Sequence, residues 1–180
     1  MGAALHTKPQ LFQLWVTKHV SGFCATGKMM KKFRCQAHET CPCSKLPCVV
    51  GDTAHLLICL DVRIRTAWAT KTFDLEEWVG DTAGPHIQEA IMFLIRRKEA
   101  DLYEYQQWPG EIHQTYEDQR ELEWHNLMKG RIATSWRVAI AQHLKQRQSR
   151  RSAVSWIEDL VSKLLEITHH LWITLNGVLY

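Results

Sequence analysis

Apolar residues recur at intervals of three and four along most of this chain, which is the spacing of one face of an α-helix. The first such stretch, residues 9–23, brings Leu11, Phe12 and Trp15 onto one face, and Pro9 suits the first turn of a helix. A longer stripe near the end of the sequence consists of Val154, Ile157, Leu160, Val161, Leu164, Leu165, Thr168, Leu171, Trp172 and Leu175. The pattern predicts a mainly α fold organised as a helical bundle.

The middle of the chain carries the same kind of pattern, interrupted by turn residues. Helices are predicted over residues 61–78, 85–100, 117–128 and 132–144; the first of these has a mixed pattern, in which the alternation over VRIRTAW also permits a strand. Pro85 suits a first helical turn, Gly130 separates two of the helices, and Ser152 suits the cap of the last helix. The segment 101–113 contains a Trp-Pro-Gly turn and is predicted to be a linker, in which Trp108 lies free of any apolar stripe.

One segment, residues 35–52, lacks helical periodicity and contains two prolines, so a loop is predicted there. Asp52 or Thr53 suits the cap of a short helix that carries residues 55–60. The predicted organisation is N-terminal helices with an inserted knuckle at 41–59 (residues 1–60), a helical linker region (61–113) and a C-terminal helical bundle (114–180).

Composition indicates a protein that folds in water. Hydrophobic residues make up 46% of the sequence, which lies outside the composition of disordered chains, and no apolar run approaches the roughly 18 residues of a membrane span. The sequence shows no secretory signal at its start. We therefore expect an intracellular protein, in a reducing compartment, that does not associate with membranes.

Four of the six cysteines fall close together, alongside one histidine. Cys41 and Cys43 lie in the predicted loop, Cys48 follows them, and His55 and Cys59 are spaced to share one face of the short helix. Cysteine and histidine clustered in this way in a reducing compartment are typical of a structural Zn²⁺ site. Either Cys43 or Cys48 can complete a set with Cys41, His55 and Cys59. Reduced thiols around a core histidine, or a disulfide, are the alternatives.

Charge is distributed unevenly along the chain. Residues 1–50 carry seven Lys and Arg against one acidic residue, residues 51–130 carry eight against fifteen, and residues 131–180 carry seven against three. Two basic clusters lie in the basic ends and are candidates for binding RNA or DNA phosphates: Lys28, Lys31, Lys32 and Arg34, then Lys145, Arg147, Arg150 and Arg151. Both clusters contain or adjoin aromatic residues, as in proteins that bind single strands.

The stretch HETCPCSKLPCVVGDTAHLLIC resembles the zinc-binding segment of reverse transcriptases from non-LTR retrotransposons, where a Cys pair is followed by a Gly-Asp-Thr-like stretch and then His-x3-Cys. The stretches FQLWVTKHVSGFCATGKMMKK and ELEWHNLMKGRIATSW and the terminal HHLWITLNGVLY are similar to helices that flank this segment in retroelement-derived proteins of protists. The resemblance implies an accessory module that helps a reverse transcriptase hold its nucleic acid.

No catalytic residues are predicted. Glu76-Glu77 and the pair Glu121 and Glu123 are carboxylates of the kind that hydrolases use, but no nucleophile motif or phosphate loop accompanies them. The polymerase and nuclease sites of the resembled family have no counterpart in this sequence. We expect a non-enzymatic protein; the alternative to nucleic-acid binding is a protein-interaction module that associates with itself or with other helical proteins through residues 152–175.

Overall fold

The computed structural model describes residues 8–24, 26–35, 38–41, 51–96 and 107–179. These residues are mainly helical, and no β-strand occurs among them. The helices are α1 (Gln10–Val20), α2 (Gly27–Lys32), α3 (Thr53–Ile58), α4 (Val62–Thr82), α5 (Pro85–Arg96), α6 (Gly110–Glu121), α7 (Trp124–Leu127), α8 (Ser135–Gln146) and α9 (Ala153–Leu179). The predicted mainly α fold class is confirmed.

Local capping chemistry determines where two of these helices begin. The Asp52 side chain accepts a hydrogen bond of 2.8 Å from the His55 backbone N–H at the start of α3. The Ser152 hydroxyl accepts one of 3.0 Å from the Ser155 backbone N–H at the start of α9. Each side chain satisfies a donor that the first helical turn leaves unpaired, so both predicted caps are confirmed.

Two predicted boundaries between residues 101 and 128 are wrong. The predicted linker ends earlier than expected, because Pro109 precedes a helix that already begins at Gly110. The predicted helix 117–128 is interrupted after Glu121, where Glu123 adopts a positive φ of 65° that an α-helix does not accommodate. A short helix, α7, follows this break.

The chain divides into two compact units, Thr72–Leu164 and Gly2–Lys71 with Leu165–Tyr180. Both divisions fall inside long helices, α4 and α9. Each of these helices buries apolar residues in both units: Ile64 and Leu75 in α4, and Leu164 and Leu171 in α9. The predicted domain boundaries at residues 60 and 113 stay a prediction.

The unit Thr72–Leu164 is built around α6, which packs against α5, α7 and α8. A buried glutamine joins α6 to the segment before α8. The Gln119 amide donates to the Arg131 carbonyl at 3.1 Å and accepts from the Ala133 N–H at 2.9 Å. In the same unit Trp156 stacks on Trp78 and donates its indole N–H to the Thr82 hydroxyl at 3.0 Å.

Trp108 is buried, so the prediction that it lies free is wrong. Only 5% of its surface is exposed, and its ring meets Phe93 and Tyr116 edge to face. Its indole N–H donates to the Glu89 carboxylate at 2.7 Å. These partners lie in α5, before the Trp-Pro-Gly turn, and in α6, after it. The apolar pattern around Trp108 does not predict them.

Replacing Trp108 with phenylalanine is expected to lower the free energy of unfolding by about 1 kcal/mol, because an aromatic ring is kept and the hydrogen bond to Glu89 is lost. Urea unfolding followed by circular dichroism measures the change. Glu89→Gln is the matched control, since an amide oxygen remains as acceptor and a smaller loss is expected. Equal stability of Trp108→Phe and the unmodified protein would contradict this role.

The second unit contains an aromatic cluster formed by α1 and the end of α9. His169 lies 5.0 Å from the Phe12 ring and 4.7 Å from the Trp15 ring, measured between centroids, and Trp15 stacks on His19. Phe12, Trp15 and His19 therefore define the buried face of α1. Leu11, which was predicted to share that face, is 81% exposed, because the buried positions follow the spacing 12, 15, 16, 19.

The position of His169 predicts that this unit loses stability in mild acid. Burial, and next the neighbouring His170, lower the pKa of His169 below the ordinary value of 6.5. Because the pKa of His169 is lower in the folded chain than in the unfolded chain, protonation favours unfolding. The contribution of neutral His169 to the free energy of unfolding is therefore complete above pH 6.5 and is lost as the pH falls toward the folded-state pKa. His169→Gln should therefore show a smaller loss of unfolding free energy between pH 7.5 and 5.5. His86→Gln, which removes an exposed imidazole, serves as the control and should behave like the unmodified protein.

Most of the apolar stripe in α9 is covered by the chain itself. Seven of its predicted positions are buried: Leu160, Val161, Leu164, Leu165, Thr168, Leu171 and Leu175. Val154 departs from the prediction and is exposed in the first turn of the helix. Among the described residues, no helix combines the length and the apolar character needed to cross a membrane. The predicted intracellular location stays a prediction.

Candidate metal centre and basic surface

Three of the predicted ligands converge in the second unit. One ligand atom from each of Cys41, His55 and Cys59 lies within 4.8 Å of the others. The two sulfur atoms are 4.0 Å apart, whereas two thiolates on one tetrahedral zinc ion, each at about 2.3 Å, lie roughly 3.8 Å apart. Both cysteines are free thiols. The spacing thus fits joint coordination of one ion and excludes a disulfide between them in this structure.

Three different segments supply these ligands: the loop before α3, the helix α3 and the residue that follows it. Cys41 is buried at the end of the loop residues that precede the undescribed segment, and His55 lies in the first turn of α3. Cys59 was predicted to share a helical face with His55, but α3 ends at Ile58 and Cys59 is the following residue, with an extended ψ of 132°. The extended backbone, together with the helical turn, brings its sulfur back beside Cys41.

Burial makes the Cys59 thiol and the His55 imidazole favour their neutral forms. It raises the pKa of the Cys59 thiol, as does the neighbouring Cys41, although a hydrogen bond from the Asp61 backbone opposes the rise. It lowers the pKa of His55, against the opposing charge of Asp52. The His55 Nε2 atom is buried and has no hydrogen-bond partner among the residues that the structure describes. A neutral imidazole and two thiols that ionise on binding are the donors that a metal ion requires.

Of the predicted ligand set, the described residues therefore contain three. Cys43 and Cys48, the two alternatives for the fourth position, lie outside the described residues. Within the part of the chain that the structure describes, Cys41, His55 and Cys59 form the one group of three or more metal-binding side chains. Cys24 is buried elsewhere, with the pKa of its thiol raised to about 12 by burial, and Cys35 is exposed.

Two glycines join the candidate metal centre to α2. The Gly51 N–H donates to the Glu39 carbonyl at 2.8 Å, and the Gly51 carbonyl accepts from the Lys28 N–H at 3.0 Å. A Cβ atom on Gly51 would lie 3.2 Å from the Cys41 Cα, and one on Gly27 would lie 2.7 Å from the Glu39 carbonyl oxygen. Both glycines thus permit a close backbone approach that a side chain would obstruct. This connection was not predicted from the sequence, although the two glycines that flank the cluster were an available signal.

The first predicted basic cluster extends from this connection along α2. Lys28, Lys31, Lys32 and Arg34 are all exposed, while Met29 is buried beneath them. Lys31 lies 3.7 Å from the Glu39 carboxylate, an exposed pair of small energetic weight. Lys31 and Lys32 follow Lys28 by three and four residues in a helix, so both lie on the same solvent-facing side as Lys28.

The second predicted cluster belongs to the other unit. Lys145, Arg147 and Arg150 are exposed where α8 ends. Arg151 differs from them, because it pairs with Asp159 and its guanidinium lies 5.7 Å from the centre of the Trp78 ring. These interactions are within the fold, so Arg151 is the least accessible of the eight Lys and Arg residues predicted to bind nucleic acid.

Comparison of the chain with protein-family models, with curated proteins and with solved structures finds no match. The resemblance to reverse-transcriptase zinc-binding segments therefore stays a prediction.

Proposed function

We propose that this chain is a non-catalytic nucleic-acid-binding module whose fold is stabilised by one structural zinc ion. The observation that carries the proposal is the direct attachment of the basic helix α2 to the Cys41, His55 and Cys59 cluster through Gly51. A metal ion held by these side chains fixes the segment that presents the lysines. The exposed lysines supply sequence-independent affinity for phosphate groups.

Zinc is the metal that suits these donors best. Thiolate sulfur and imidazole nitrogen favour zinc over magnesium or calcium, which bind oxygen ligands. The buried position of both sulfur atoms favours a closed structural site over an open catalytic one. A closed tetrahedron needs a fourth ligand, which we assign to Cys43 or Cys48. The lack of enzymatic activity stays a prediction.

A reverse-transcriptase origin is part of the proposal and rests on the sequence resemblance. In that case the chain corresponds to the accessory segment that follows polymerase and nuclease portions and assists in holding RNA or DNA. The His-x3-Cys half of the motif supports it, since His55 and Cys59 belong to the metal cluster.

Binding of a fluorescein-labelled 20-nucleotide RNA, followed by fluorescence polarisation, tests the proposal. We expect binding that weakens steeply as salt increases, and that is lost when a chelator removes zinc and restored when zinc is returned. Binding to RNA that is unchanged by chelation would separate the nucleic-acid role from the metal. Absence of binding at low salt in the zinc-loaded protein would refute the proposed function.

The alternative function, binding to another protein, is supported by a different surface from the predicted 152–175 stripe. Most of the 152–175 stripe is buried, whereas Ile58, Leu60 and Val62 beside Cys59 are exposed. A partner protein that binds there would cover apolar surface and would be insensitive to salt. Light scattering at 50 and 500 mM salt distinguishes this alternative, since self-association that persists at high salt supports it.

A further inference from the structure

Two exposed phenylalanines flank the basic helix α2. Phe23 is 52% exposed and Phe33 is 59% exposed, whereas Phe12, Trp15 and Trp172 of the same unit lie in one cluster with His169. Exposed aromatic rings among cations have a specific use in nucleic-acid recognition, because every unpaired base offers a face for stacking.

The phenylalanines are surrounded by positive charge. The Lys32 ammonium group lies 5.7 Å from the centre of the Phe23 ring, and Phe33 lies between Lys32 and Arg34 in sequence. Between residues 8 and 41, Glu39 is the one acidic residue. The surface therefore combines exposed cations with exposed aromatic rings.

The backbone that carries both rings is held in place. The Phe23 N–H donates to the Lys18 carbonyl at 2.7 Å, and Cys24, the next residue, is buried. The Phe33 N–H donates to the Met29 carbonyl at 2.9 Å, and the Cys35 N–H closes the turn after the helix by donating to the Met30 carbonyl at 2.8 Å. Rings on a fixed backbone lose less conformational entropy when a base stacks on them.

We infer that Phe23 and Phe33 are stacking positions for unpaired bases, so that the module binds single-stranded RNA or DNA in preference to a duplex. This inference rests on the proposed nucleic-acid-binding function and adds the class of nucleic acid to it. A duplex offers phosphates to the lysines but keeps its bases stacked on each other, so the phenylalanines gain nothing from it. A single strand satisfies both parts of the surface.

The test compares a 20-nucleotide single strand with a duplex of the same length at one salt concentration. We expect the zinc-loaded protein to bind the single strand at least tenfold more tightly. Replacing both Phe23 and Phe33 with leucine keeps apolar side chains and removes the aromatic faces, and should weaken single-strand binding by roughly tenfold or more while leaving duplex binding unchanged. Phe73→Leu is the matched control, because Phe73 is 56% exposed in the acidic middle of the chain.

A strand that contains 2-aminopurine provides a second readout, since its fluorescence falls when the base stacks. Quenching by the unmodified protein that is lost in the double leucine variant supports the inference. Equal affinity for single strand and duplex, unaffected by the leucines, would overturn stacking and leave phosphate binding intact. No binding to either would refute the proposed function itself. Phenylalanine-dependent binding to phosphatidylserine vesicles, without any effect on single strands, would assign the surface to membranes and overturn the inference.

Discussion

The variant Cys59→Ser is expected to lose stoichiometric zinc binding and, with it, the folded structure around α3. A structural zinc ion contributes about 10–16 kcal/mol of apparent binding free energy in zinc-finger peptides at neutral pH, which is comparable to the entire stability of a typical domain. The His55 Nε2 atom and the Cys41 side chain are buried, so removing one sulfur of the proposed site would leave both without the cation that we propose they bind. The helix α3, of six residues, is too short to persist alone.

Hydrogen exchange followed by mass spectrometry measures this effect locally. In the variant we expect rapid exchange at the amides that join α2 and α3 to the loop, among them the Lys28, Gly51 and Leu56 N–H groups. Cys35→Ser is the matched control, because it changes an exposed thiol outside the cluster and should keep both zinc and protection. Protection of these amides in Cys59→Ser equal to that in the control would show that the metal does not support this region.

Neutralising the basic face of α2 is expected to have the second largest effect. If Lys28, Lys31 and Lys32 each contact one phosphate, replacing all three with glutamine removes about three contacts. With a slope near 0.7 per contact for a single strand, the unmodified protein should lose roughly twentyfold more affinity than the variant between 50 and 200 mM salt. The variant should also bind more weakly at the lower salt concentration.

Polarisation titrations of labelled RNA at several salt concentrations provide the two slopes. A triple control, Arg65→Gln, Arg120→Gln and Arg137→Gln, removes the same charge from exposed positions outside both basic clusters. The control should keep the steep slope of the unmodified protein. Equal slopes for the two triple variants would mean that net charge, and not the surface on α2, determines binding.

The helical fold was predictable because its signals are local. Asp52 and Ser152 cap helices through backbone groups three residues away, and Pro85 begins α5 as its fixed φ allows. The mixed pattern after Asp61 was sufficient to favour α4, which extends to Thr82. In each case the residues that determine the element lie within it or beside it in sequence.

The errors have the opposite origin. Trp108 is buried by Phe93 and Tyr116 and paired with Glu89, and these partners come from helices that its own neighbours in sequence do not reveal. Leu11 is exposed because the apolar face of α1 is determined by the His169 and Trp172 residues packed against it. Tertiary contacts decided both positions, and helical spacing alone was consistent with either outcome.

The candidate metal centre lies between these cases. The spacing of His55 and Cys59 predicted that they act together, and the clustering of cysteines pointed to Cys41. The end of α3 at Ile58 was not predicted, yet the extended residue that follows still places the Cys59 sulfur 4.0 Å from that of Cys41. The role of Gly27 and Gly51 in joining this site to α2 depends on backbone distances and required the structure.

Metal content of the purified, reduced protein tests the account most directly. Elemental analysis should find about one zinc ion per chain, and the His55→Ala, Cys59→Ser variant should contain none and should lose cooperative unfolding. Zinc-free protein, after preparation with zinc and a reductant, would contradict the account. The cluster would then consist of ordinary buried thiols beside a histidine.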